Sequence, residues 1–187
     1  SMMDELAAQA GINPLQFRLN NLTENHDRLA NVLRRVAELS DWGQTRSGKT
    51  AKDRSVGRGL ACSVYKGETS AAVVAEVEIN HLARELQVTH VWCAQDAGLL
   101  INPHQVESQI EGNIIWGCSM ALREQITIAN GAVEQANFYS YDPLRHASAP
   151  TIALELVVPL HTAASAVGEA ALPPVPAAIA NAVPTRR

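Results

Sequence analysis

The chain has 187 residues, 47% of them hydrophobic and 18% charged, with a formal net charge of −4, which fits one folded unit with a sizeable core. That balance gives no electrostatic reason to expect nucleic acid or an anionic membrane as partner, and no apolar run reaches the length of a bilayer span. Residues Ser1 to Glu5 carry no basic signal-peptide segment, and Cys62, Cys93 and Cys118 lack zinc-site spacing, so buried thiols in a reducing compartment are expected.

The first third reads as helices. Asn13-Pro14 sets a capping side chain before a proline at the first helical position, and Leu15, Leu19 and Leu22 mark one face. A further helix carries Leu29, Val32, Leu33, Val36 and Leu39 and ends at Trp42-Gly43. Residues 1–43 are thus a helical lead-in with packing as their role. Residues 44–59 are polar and basic, with Arg46, Lys49, Lys52, Arg54 and Arg58 but no interleaved aromatic residues, and predict a solvated, flexible loop.

From Arg58 the period changes to two, and an α+β core is expected over 60–187. Leu60, Cys62 and Val64 alternate with Ala61, Ser63 and Tyr65. After a Lys66-Gly67 turn, Val73, Ala75, Val77 and Ile79 predict a half-buried strand paired with its predecessor. Val88 to Asp96 gives a third strand. Asn130-Gly131 lies between Gln125–Ile128 and Ala132–Asn137 as a hairpin signal. Thr151 to Val158 gives another strand. Helices first, then mostly antiparallel hairpin-linked strands interrupted by one long helix, argue an α+β fold.

The long helix starts at Asn102-Pro103-His104-Gln105, a cap followed by a proline, and runs to about Leu122. Val106, Ile110, Ile114, Gly117 and Ala121 form its apolar stripe, and Gln109, Gly112, Asn113 and Trp116 lie together on a neighbouring face. Two glycines inside a helix cost about 1 kcal/mol each against alanine. Either they permit tight packing on the sheet, or one of them leaves room for a ligand beside Gln109. Periodicity favours packing.

One acid stands in a run of small apolar residues. Glu169 follows Gly168 and precedes Pro173-Pro174, where a C-terminal helix begins. Such a loop is expected to hold a carboxylate in a largely dry place. A fixed carboxylate serves either as a general base or only as a stabilising charge ahead of a helix, and the pattern weights the two equally. The six histidines show no metal spacing.

Taken in order, several stretches are familiar. DELAAQAGINPLQFRLNNL, GRGLA, AAVVAEVEI, AQDAGLLINPHQVESQIEGNIIWG, NGAVEQANFYSYDPLRHASAPTIALELV and AVGEAALPPVPAAIANAV together resemble the C-terminal part of the molybdenum-cofactor subunit of the xanthine dehydrogenase/aldehyde oxidase family. They look most like the beta subunit of the isoquinoline 1-oxidoreductase type.

The resemblance implies hydroxylation of aldehydes or nitrogen heterocycles with water as oxygen source. It assigns Glu169, in the family's VGE motif, as the base, and Gln109, in its QxEG motif, as a hydrogen-bonding partner of the molybdenum-pterin cofactor. Val167 and Gly168 match backbone positions lining the metal site, and none of these residues is itself a metal ligand. It further implies two partners, the upstream half of the molybdenum subunit and an iron–sulfur subunit.

Two departures follow from the same resemblance. The family's upstream half lies outside this chain, so one wall of a site is expected here, without cofactor or turnover in isolation. Thr162 to Ala166 lacks the family's Pro-Gly run, and Pro184 to Arg187 departs from its usual continuation. The alternative is a stand-alone structural or partner-binding domain derived from that family. An exposed apolar face, open to self-association, is expected under the enzymatic reading, and a polar or covered face under the alternative.

Overall fold

The computed structural model describes residues 2–44, 53–159 and 161–183. Three helices lead: α1 (Met2–Ala10), α2 (Pro14–Asn20) and α3 (Asp27–Leu39). The Asn13 side chain accepts a hydrogen bond from the backbone N–H of Leu15 at 3.0 Å and so caps α2. Leu29, Val32, Leu33 and Val36 of α3 are buried, as their spacing requires.

Three long strands follow as a meander: β1 (Arg54–Tyr65), β2 (Thr69–Asn80) and β3 (Glu85–Asp96). Then come α4 (Pro103–Leu122), a minimal hairpin of β4 (Ile128–Ala129) and β5 (Ala132–Val133), the strand β6 (Thr151–Val157) and α5 (Pro174–Ala182). The main sheet has the order β1-β2-β3-β6, with β6 parallel to β3 and the other pairs antiparallel. This is the expected α+β fold.

The sheet separates two cores. One face packs Leu60, Val74, Trp92 and Ala94 against α3. The other packs Ala61, Val73, Val91 and Cys93 against α4 and α5. This two-sided cover corrects the reading of the second strand as half-buried: Thr69 to Val77 of β2 is buried throughout. Alternating valine and alanine on both faces serves two sets of helices at once, a pattern that one solvated face would not need.

The polar segment is also shorter than the sequence pattern predicts. Residues 45–52 lie outside the described residues, and β1 already begins at Arg54. The charges there are cross-strand pairs: Arg58 Nε donates to Glu76 Oε2 at 2.9 Å and Arg54 pairs with Glu78. The hairpin at Asn130-Gly131 is present, with both residues at positive φ (51° and 78°), but only two residues pair on each side.

The start of α4 is as read: Asn102 Oδ1 accepts from the backbone N–H of Gln105 at 3.2 Å, a cap worth about 1 kcal/mol. Its buried stripe ends sooner. Val106, Ile110, Ile114 and Gly117 are buried, whereas Ala121 is exposed and Leu122 packs on the core in its place. Asn113 is buried, away from Gln109, Gly112 and Trp116, with which its spacing groups it and which are exposed.

The two helical glycines differ in their surroundings. A Cβ on Gly117 would lie 2.7 Å from Val175 Cβ on α5, whereas a Cβ on Gly112 meets nothing within 4 Å. Gly117→Ala is therefore expected to force α4 and α5 apart and to destabilise the chain by about 1–3 kcal/mol. Gly112→Ala is expected to stabilise it by about 1 kcal/mol. Urea unfolding of both variants checks this contrast, and a stabilised Gly117→Ala contradicts the packing.

Candidate functional site

The candidate site lies where the ends of β1, β2 and β3 meet the segment that enters α5. β3 ends at Asp96, which is 1% exposed. Arg28 of α3 donates to its carboxylate through Nε at 3.0 Å and Nη2 at 2.6 Å. This bidentate hydrogen bonding holds the Arg28 guanidinium above its ordinary value against the opposing effect of burial. Asp96 Oδ1 also accepts from the backbone N–H of Gly98 at 3.0 Å and so shapes the turn.

Residues 162–166 are laid directly on that turn. Leu99 N–H donates to Thr162 O at 3.0 Å, and Ser165 N–H donates to Ala97 O at 2.8 Å. Gly98, at φ +73°, is required there. A Cβ would come within 1.9 Å of Ala163 O.

The β1–β2 hairpin grips the same segment from the other side. Thr69 is fully buried; its Oγ1 donates to Ala166 O at 2.8 Å and lies 2.7 Å from Ser165 Oγ. Ser63 Oγ donates to Ala170 O at 3.4 Å, and Tyr65 OH donates to Glu169 Oε2 at 3.2 Å. Ser63 and Tyr65 are two apart on β1 and so share a face, and Tyr65 is paired in register with Thr69. The polar positions 63, 65 and 69 thus bracket Glu169. Sequence reasoning singles out none of them; the available signal is the run of hydroxyls at positions 63, 65 and 69, where the sheet face that is apolar elsewhere turns polar.

Glu169 itself is exposed, which corrects the expectation of a dry site. Alanines and a glycine are too small to enclose a glutamate, and the segment lies at the edge of the sheet layer rather than beneath it. Val167 is half-buried and packs on the core. Gly168 faces α4: a Cβ placed on it would lie 4.0 Å from Gln109 Nε2. Two residues about sixty positions apart in sequence are therefore brought together on different elements. The Gln109 side chain makes no hydrogen bond among the described residues. With Gly112 open beside it, the arrangement leaves an unused amide facing free space.

Those features suit a polar organic group set against α4 and residues 167–169, offering it an amide, backbone groups and a carboxylate. Among the described residues, no three His, Cys, Asp or Glu side chains gather as a metal-binding group, so a metal would have to be carried by such a group. The thiols are not ligand candidates. Burial pushes Cys93 and Cys118 up to about 12 and raises Cys62 as well. A cavity of about 610 Å³ at the opposite end of α4, between Leu86, Val88, Leu122 and Leu144, includes none of Gln109, Gly168 and Glu169.

Residues 64–150 match the family model described as a molybdopterin cofactor-binding domain. The chain is 38% identical over 157 residues to the beta subunit of isoquinoline 1-oxidoreductase from Brevundimonas diminuta, covering 84% of this chain and 20% of that protein. It is 34% identical over 193 residues to a subunit of nicotinate dehydrogenase from Pseudomonas putida, covering 98% and 16% respectively. The chain thus spans about a fifth or less of the length of these relatives. Among solved structures, the aldehyde oxidoreductase from Desulfovibrio desulfuricans shares the fold with a TM-score of 0.84 at 14% identity, over 96% of this chain and 37% of that one.

The grip of the hairpin is testable without any ligand. Thr69→Val keeps the shape but strands Ala166 O, while Ser165 Oγ keeps its bond to Ala97 O at 3.0 Å, and is expected to cost about 1–3 kcal/mol. Amide hydrogen exchange should accelerate over residues 165–170 and not in β3. Unchanged exchange there would show that Thr69 does not hold the segment.

Proposed function

The chain belongs, as a partial length, to the molybdenum-binding subunits of the xanthine dehydrogenase/aldehyde oxidase family, and from that premise we propose that it forms one wall of a molybdenum-pterin site. The observation that carries this reading is the approach of Gln109 to Gly168, the residue before Glu169, across two elements, with the Gln109 amide unused. Gln109 would hold the pterin, since its amide both donates and accepts. The backbone at Val167 and Gly168 would line the metal side, where the missing side chain of Gly168 leaves room for close approach.

Glu169 serves as the general base. It takes the proton from the water-derived oxygen that attacks the electron-poor carbon of an aldehyde or nitrogen heterocycle. An exposed carboxylate at the end of a gripped loop is suited to that role, because it is accessible in this chain and closed over only by what covers the site. When bound, the molybdenum-pterin group would supply Lewis acidity and take up the hydrogen of the attacked carbon together with its electron pair, so that the C–H bond breaks as the C–O bond forms. The other walls, and the iron–sulfur subunit that carries the electrons away, are partners that this reading requires.

Apolar side chains stand exposed on α4 and ahead of it, as the enzyme-wall reading expects. Trp116 and Met120, farther along the exposed face of α4, are 46% and 48% exposed, and Leu99 and Ile101 ahead of the helix are 55% and 80% exposed. No helix among the described residues is long and apolar enough to cross a membrane.

Two measurements test the reading. Metal analysis of the purified 187-residue chain should find no molybdenum, and a stoichiometric amount would show that the chain is more than one wall. In the assembled enzyme, Glu169→Gln should lower kcat by about 10²-fold or more, the scale of a lost general base, with molybdenum content unchanged. A near-normal rate in that variant rejects the base.

A further inference from the structure

We infer that Tyr65 is a positioning residue for Glu169: its hydroxyl occupies Oε2 and leaves Oε1 as the atom that receives the proton. This rests on the reading of Glu169 as a base. The geometry is specific. Tyr65 OH lies 3.2 Å from Glu169 Oε2 across 104 residues of sequence, so the contact is made by the fold and not by local chain geometry.

Two features fix the donor, and a third ties its strand to the acceptor's segment. Tyr65 is the last residue of β1 and pairs with the fully buried Thr69, so its backbone cannot drift. Lys66 turns back at φ +51° and sets its ammonium 5.3 Å from the centre of the Tyr65 ring, an attraction that holds the ring. Ser63, on the same face of β1, tethers the carbonyl of Ala170. The acceptor is fixed as well, because Ala166 and Ala170, on either side of Glu169, are both tied to the hairpin.

A glutamate has three side-chain torsions, and in an exposed position they sample many rotamers. A single hydroxyl donor at one oxygen selects those in which the other oxygen is presented outward. The hydroxyl of Tyr65 does not touch the reacting atoms; it acts through the carboxylate that does. A tyrosine suits this better than a lysine or arginine would, because it donates one hydrogen bond without adding a full positive charge beside the base.

The test uses Tyr65→Phe, which removes one oxygen and keeps the ring. In the 187-residue chain labelled with ¹³C-glutamate, the Glu169 carboxyl resonance should move and its side-chain motion should increase, with the thermal midpoint unchanged. In the assembled enzyme, kcat should fall roughly tenfold, the factor carried by one ordinary hydrogen bond, with KM within about twofold. An unmoved Glu169 resonance, or a wild-type kcat in Tyr65→Phe where Glu169→Gln is inactive, overturns the positioning role alone. Full activity in Glu169→Gln instead overturns the base itself, and with it the purpose of the contact.

Discussion

The structure depends on how closely α5 is seated. A Cβ on Gly59 would lie 2.2 Å from Ala178 O and 2.4 Å from Ala182 N, so β1 and α5 meet backbone to backbone. On its other side α5 meets α4 at Gly117 through Val175. Both contacts require the absence of a side chain, and both fix the same helix. Once α5 is fixed, the segment that leads into it has a narrow course, and that course runs past Tyr65, Thr69 and Gly98. The placement of Glu169 is therefore a consequence of helix packing many residues away.

The opposite face of the sheet contributes through one ion pair. Asp96 is nearly inaccessible, and its charge is matched by Arg28 and by the N–H of Gly98. A buried carboxylate without those partners would be costly, so α3 and the turn at Ala97-Gly98 must be in place together. The helical lead-in is thus more than a cover for the second core. It determines the turn on which residues 162–166 rest.

Local signals were legible in the sequence. Asn13 and Asn102 cap their helices, Asn130-Gly131 makes its turn, and the leucine and valine spacing of α3 faces the sheet, because each depends on neighbours within a few residues. The pairing of Gln109 with the loop at Gly168 came from resemblance, since no periodicity relates α4 to a loop sixty residues later. The exposure of Glu169 was not legible. A run of alanines reads as apolar, but burial is decided by what lies above the run, and here little does. The double burial of β2 was missed for the converse reason: alternation reports one apolar face and does not reveal that a second set of helices covers the other. Tyr65 and Thr69 have partners about a hundred residues away, so the hydroxyls at positions 63, 65 and 69 signal a polar end to the sheet face but not what they bind.

The long-range character of the Tyr65–Glu169 and Ser63–Ala170 contacts bears on the order of assembly. β1, β2 and β3 close over short turns, and α3 packs on them from nearby in sequence. The contacts to Glu169 and Ala170 span 104 and 107 residues, and such closures come late because loop entropy must be lost before they form. β6 must first return beside β3 after the excursion through α4. The meander and its α3 face can therefore form before the carboxylate has its partners, whereas the other face closes only when α5 docks and draws the Glu169 segment with it.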